Sequence, residues 1–449
     1  MPKSLVFFTL LACLFLSVVG GALLAYFELL PGRINVEALS GSVEPSLLPD
    51  TQRSLHSAHA KHPLRAENFY RSELPQQAGV IRYDPVRAAN GYTLYAPVGP
   101  GFPIRLIDMG GNTVYEWTLE NTLWPAKSRS MQREKVSGAA TVTLNAQLLP
   151  KGDLLVVTDV AEENEQSGGI VRLDKDSNVL WQYSGLVNAA DLSSDGSIYA
   201  LLREPHTQPW PGLENIQPPF YDEIIVELDA GGNELRTISL LAAIQNSSFE
   251  YLLQYVSADS HGGQLLGANS IQHLNAVAAA KLPDTKADDI LVSFGALDTL
   301  AVIDIEQVVV KWAIRGSWHL QHAAEVLASG NILLFDNFGD LRNGGRSRVL
   351  EIDPISLETI WEFPRDTGVD LFTSGQGSQQ RLLNGNTIIS EAYGGRLLEI
   401  APDGDVVWEY YAPEVIAVSD SKYVSHAVFP QRYLPDQLEF LEMSAGGSK

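Results

Sequence analysis

Two Gln-His pairs carry the residues best suited to chemistry, Gln272-His273 and Gln321-His322. Imidazole titrates near neutral pH, so two histidines at one site suit proton transfer or nucleophilic attack. Arg348 is the third candidate. It stands at the start of the apolar run Val349-Leu350, and its rigid fork of donors suits an oxyanion. A structural ion pair is the alternative reading of this arginine, and a carbonyl-satisfied core histidine is the alternative for each imidazole. Asn275, Gln321, Gln379 and Arg381 stand beside these positions and are the candidates for holding a substrate. No metal centre is expected, because His273 and His322 have no visible third ligand. His56, His59 and His62 recur every three residues, but in a stretch of linker composition, where solvated histidines account for them. The chain has no GxSxG, HExxH, Walker-type or EF-hand loop, and no cofactor is expected.

The elements that must position these residues are repeats. An acidic residue, a short turn and an apolar run closing on Trp recur along the chain. Ile107-Asp108 leads to Trp117, Leu173-Asp174 to Trp181, Ile303-Asp304 to Trp312, Ile352-Asp353 to Trp361, and Ala401-Pro402-Asp403 to Trp408. Leu228-Asp229 opens a sixth copy without the Trp. Each copy reads as a hairpin, and a second hairpin precedes it, with turns such as Lys151-Gly152-Asp153, Asp195-Gly196-Ser197, Ser329-Gly330-Asn331 and Asn384-Gly385-Asn386. Two hairpins make a four-stranded unit, and six such units predict an all-β, six-bladed β-propeller. A β-sandwich is the competing fold. The recurring Trp is expected to pack between blades. Aligned on the turn glycines, the two Gln-His pairs fall at one position of the innermost strands and face the central channel. Insertions at 119–140, 203–220 and 240–262 break the rhythm. The last has a helical pattern, and all three are candidates to roof one face.

The expected organisation is an N-terminal segment at 1–30, a linker at 31–75, the propeller at 76–430 and a tail at 431–449. Residues 5–27 contain no charge, long enough at 1.5 Å per residue to span a bilayer. Lys3 precedes them and Glu28 follows, so an uncleaved transmembrane helix would hold the propeller outside the cytoplasm, on the periplasmic side. A cleaved signal peptide is the alternative. The net charge of −23 argues against a nucleic-acid partner. Cys13 is the only cysteine, so there is no intrachain disulfide.

The ordered phrases from Gln272 to Trp408 resemble the arylsulfotransferase family of six-bladed periplasmic propellers. They include Gln272-His273-Leu274-Asn275, Leu297-Asp298-Thr299-Leu300, Gln321-His322, Asn331-Ile332-Leu333-Leu334-Phe335-Asp336-Asn337, Ser347-Arg348-Val349-Leu350 and Gln380-Arg381-Leu382-Leu383-Asn384-Gly385-Asn386. The resemblance implies transfer of a sulfuryl group from an aryl sulfate to a phenol, without a nucleotide donor, through a sulfurylated histidine. It implies that His273 and His322 are supporting histidines and that Arg348 stabilises charge on the sulfuryl oxygens. It leaves the sulfuryl-accepting histidine without a place, since Gly377-Ser378-Gln379-Gln380 stands where a late histidine is wanted and only His426 follows. A non-catalytic binding or assembly propeller outside the cytoplasm is therefore the second reading. A protease added to intact spheroplasts should digest the domain, whereas digestion only after lysis would place it inside.

Overall fold

Each recurring acid caps its own turn. Asp108, Asp174 and Asp229 accept the backbone N–H of Asn112, Asn178 and Asn233 at 2.8–2.9 Å, and each asparagine side chain donates back to the same carboxylate. The residue before the asparagine must turn left-handed. Gly111 and Gly232 do so at φ 81° and 80°, and Ser177 adopts 67° in the third copy. The acids are turn residues, and the hairpins they close are the units of the fold.

The structure, a computed structural model, describes residues 77–99, 101–119, 140–161, 168–214, 216–257, 263–341, 344–365, 367–418 and 421–441. The apolar segment 5–27, the linker histidines and the insertion at 120–139 lie outside the described residues. Among the described residues, no helix is long and apolar enough to cross a membrane.

The hairpins assemble into a six-bladed propeller of four-stranded antiparallel blades. Blade 2 comprises Ala140–Leu148, Leu154–Ala161, Gly168–Leu173 and Val179–Ser184. Blade 3 comprises Leu186–Leu192, Ile198–His206, Phe220–Leu228 and Glu234–Ser239. Blade 4 is Ala268–His273, Ile290–Phe294, Thr299–Asp304 and Val309–Arg315; blade 5 is His322–Val326, Ile332–Asp340, Arg346–Ile352 and Thr359–Phe363. Blade 6 is Ser378–Arg381, Thr387–Glu391, Arg396–Ile400 and Val406–Tyr411.

Blade 1 is built from both ends of the propeller. Tyr92–Val98, Ile104–Ile107 and Thr113–Trp117 supply three strands, and His426–Tyr433 supplies the innermost one. Gly79–Tyr83 crosses the same seam in the other direction and pairs with Val406–Tyr411 as a fifth, outermost strand of blade 6.

The tryptophans pack between blades. The indole N–H groups of Trp117, Trp181, Trp361 and Trp408 donate to carbonyls of Gly152, Ala230, Pro402 and Met109, each in a turn of the next blade. Two insertions pack on each other. Ser239 caps the helix Leu240–Gln245, Glu250–Tyr255 forms a 3₁₀ turn, and Trp210, Leu213 and Ile216 of the proline-rich insertion join their core.

Arg432 locks the seam. It is 5% exposed, donates to Thr93 Oγ1 at 2.7 Å and Glu399 Oε2 at 3.1 Å, and lies over the Trp408 ring. Removing one partner of a buried ion pair leaves an uncompensated charge, which costs about 3–5 kcal/mol. Arg432→Ala should lower unfolding stability by about that amount in urea melts, and a loss below about 1 kcal/mol would refute this role for the seam.

Candidate functional site

The innermost strands share one register. Gln147, Asp191, Gln272, Glu325, Gln380 and Gln431 each stand opposite the second residue of the inner core register of their blade, making one ring of six around the axis. Their side chains bridge every blade junction. Asp191 accepts the N–H of His273 at 2.7 Å, Gln272 that of Val326 at 2.8 Å, Glu325 that of Arg381 at 3.4 Å and Gln380 that of Arg432 at 2.8 Å. Between blades 1 and 2 the bridge runs through Tyr433, whose hydroxyl accepts from Leu148 N–H and donates to Gln431. Between blades 2 and 3 the Gln147 side chain bonds to the Asp191 carboxyl.

This register separates the two Gln-His pairs. His273 follows its ring residue by one position, whereas His322 precedes its own by three. In strand register they lie three levels apart along the channel, about 10 Å at ~3.3 Å per residue. Blade 4 joins its first two strands through 274–289, whereas blade 5 uses the short turn 327–331, so aligning the Gln-His phrases placed different levels together.

His273 closes its strand. Its ring stacks on Tyr199 with centroids 4.8 Å apart, and Nε2 lies 3.0 Å from Asp288 Oδ1. His322 opens its strand, between left-handed Leu320 and Ala323. Its Nδ1 lies 2.7 Å from Asn337 Oδ1 and 3.0 Å from Leu320 O. The Asn337 amide cannot be turned the other way, because its Nδ2 donates to the carbonyls of Thr373 and Gln376 at 2.9 and 3.0 Å. Two acceptors face Nδ1, so Nδ1 carries the proton and Nε2 keeps its lone pair. Burial pushes the His322 imidazole below its ordinary pKa, and the bonds to Asn337 and Leu320 oppose this only in part. The result is a neutral, oriented imidazole.

Arg348 lies on the third strand of blade 5. Nε donates to Asp336 at 2.8 Å, Nη1 to Glu362 at 3.1 Å and Nη2 to Ser317 O at 2.7 Å. Asp336 also accepts the N–H of His319, so this pair braces the loop that leads to His322. His319 itself pairs with Asp298 at 2.9 Å, which holds its pKa above the usual value.

The other candidates spread out. Asn275 caps the helix Ala276–Ala279 by accepting from Val277 and Ala278. Gln321 is fully buried and donates to Ser293 Oγ, Phe294 O and Thr299 O, tying blade 5 to blade 4. Arg381 pairs with Glu351 at 2.6 Å and stacks over Trp361. Gln379 donates to Ala323 O, next to His322, and lines the axial cavity. The arrangement brings His322, Gln321 and Gln379 together and leaves His273, Asn275, Arg348 and Arg381 elsewhere. Sequence reasoning missed Asn337; its signal was the phrase Phe335-Asp336-Asn337, where an amide follows the apolar run of its strand.

Residues 206–412 match the family model described as arylsulfotransferase (ASST). That segment belongs to the arylsulfotransferase family. It covers the outer half of blade 3, blades 4 and 5, and the four sequential strands of blade 6, including His322 and its partners. Over that segment the propeller is arylsulfotransferase-like. No curated protein sequence matches it. Among solved structures, a protein of unknown function from Bacteroides caccae is 15% identical with a TM-score of 0.47, covering 77% of this chain and 100% of that one. Another from Dyadobacter fermentans is 9% identical with a TM-score of 0.40, covering 66% and 95%. Virginiamycin B lyase from Staphylococcus aureus is 10% identical with a TM-score of 0.35, covering 66% and 88%.

The arylsulfotransferase-like propeller should show a His322 ring that titrates below 6.5 when followed by NMR, because burial disfavours the imidazolium. Asn337→Asp places a carboxylate on Nδ1 and should raise that midpoint. A wild-type midpoint at or above 6.5 would contradict the burial argument.

Proposed function

We propose that the protein moves a sulfuryl group from an aryl sulfate to a phenol and that Nε2 of His322 is the atom that carries it. The observation behind this reading is the Asn337 amide, anchored by two carbonyls, which holds the proton on Nδ1 and leaves Nε2 unprotonated. In the first step the Nε2 lone pair forms an N–S bond, the S–O bond to the aryl group breaks, and the phenolate leaves with the electron pair. In the second, the oxygen of the acceptor phenol bonds to sulfur, the N–S bond breaks, and the phenolic proton passes to solvent. Splitting one transfer into two is the advantage of a covalent intermediate. Positive charge that builds on the ring in the first step is met by the Asn337 and Leu320 carbonyl oxygens through Nδ1–H.

Arg348 has a different role in this reading from the one its family resemblance implies. Its three donor positions are engaged by Asp336, Glu362 and Ser317, so it positions the loop carrying His319 and His322 and does not clamp the sulfuryl oxygens. The same saturation of Arg348 favours the second reading, a binding propeller without catalysis. The membrane anchor and the extracytoplasmic location are proposed on the charge-free segment 5–27 and Lys3 before it.

Purified protein should release 4-nitrophenol from 4-nitrophenyl sulfate in a reaction that depends on added phenol. His322→Ala should abolish release, and His273→Ala should leave it within a fewfold of wild type. The acid limb of the rate profile should fall below pH 6.5, since activity needs neutral His322 and burial lowers its pKa. No release by folded protein across several phenols would sustain the binding reading.

A further inference from the structure

The ring of six encloses a polar cavity on the propeller axis, with a volume of 260 Å³. Four of the six ring residues are glutamine, but blade 3 supplies Asp191 and blade 5 supplies Glu325. Both carboxyl side chains line the cavity, and no Lys, Arg or His is among the residues that line it. The basic side chains that follow ring residues are engaged elsewhere: Arg381 by Glu351, Arg432 by Glu399 and His273 by Asp288.

The neutral groups in the wall point to the same kind of occupant. Asn145 Oδ1, Gln147 Oε1, Ser378 Oγ and Gln379 Oε1 are buried and have no hydrogen-bond partner. Asn145, Ser378 and Gln379 are each more than nine-tenths buried. Three of these four atoms are amide oxygens, which only accept, so the group that satisfies them brings donors or positive charge. Water alone would fill the space, about nine molecules at ~30 Å³ each, but would leave two carboxyls in a wall whose lining residues include no cation.

We propose that the axial cavity is a binding site for a hydrated divalent cation of the calcium type, held by the carboxylates of Asp191 and Glu325 and the amide oxygens of Asn145, Gln147 and Gln379. Calcium accepts six to eight oxygen ligands in flexible geometry and mixes carboxylate, amide and water oxygens, which is the donor set in this wall. His322 does not itself line the cavity, although Gln379, which donates to Ala323 O beside it, does. A cation on the axis would tie blades 2, 3, 5 and 6 together through one centre.

The test uses the full chain, stripped with EDTA and returned to calcium chloride. Thermal unfolding should shift upward by several degrees in a saturable manner, and gel-filtered protein should retain one calcium per chain by atomic emission. The double variant Asp191→Asn with Glu325→Gln makes every ring residue an amide, the type four blades already use, so it should fold. It should retain no calcium and show no calcium-dependent shift. Wild-type protein that neither binds calcium nor shifts, or a double variant that shifts equally, would overturn the proposal. Should the double variant fail to fold, the calcium content of Glu325→Gln alone decides: an unchanged content overturns it.

Discussion

A propeller must close on itself, and here closure depends on the pairing of His426–Tyr433 with Tyr92–Val98. Six blades stacked around an axis are stable only if the sixth meets the first, because each blade buries its faces against its neighbours. Two strands cross the seam in opposite directions, one at the innermost edge of blade 1 and one at the outermost edge of blade 6. Trp408 and Arg432 fill the junction between them, the indole donating to Met109 and the guanidinium pairing with Glu399. Everything on the axis inherits its geometry from that closure.

The hydrogen-bonded ring is its consequence at the centre. Four junctions use the same device, a side-chain oxygen that accepts the N–H of the residue after the ring position in the next blade. Such a belt satisfies backbone donors that the narrow channel would otherwise leave unpaired, and it fixes the height of each innermost strand. With heights fixed, the residues three positions before the ring form the mouth. His322 belongs to that layer. The left-handed residues on either side of His322 turn its ring toward Asn337, and the carbonyls of 373 and 376, from the connection into blade 6, set which way Asn337 faces. The chemistry open to His322 is thus a product of two blades, not of its own strand.

The blade pattern was legible because it is local. An acid, a left-handed turn residue and a Trp within about a dozen positions specify a hairpin and its packing edge, and nearest-neighbour physics suffices to read them. The helical turn at 240–245 was legible for the same reason, from its run of apolar residues. His273 and His322 looked equivalent because each follows a glutamine, yet Gln272 is a ring residue and Gln321 is a buried bridge between blades 4 and 5. Arg348 looked available because the acids that hold it, Asp336 and Glu362, come from strands on either side of its own.

The sequence by itself therefore determined the fold class, the number of blades and the family resemblance, since all three rest on turns and short-range patterns repeated along the chain. Tertiary structure alone decided which polar residues meet. A bulge moves a strand by one residue and exchanges its faces, and no local signal announces where Ala268–Ser270 or His322–Glu325 will bulge. Closure of the seam, the ring around the axis and the orientation of His322 all depend on contacts between residues tens to hundreds of positions apart, and such contacts exist only once the six blades stand together.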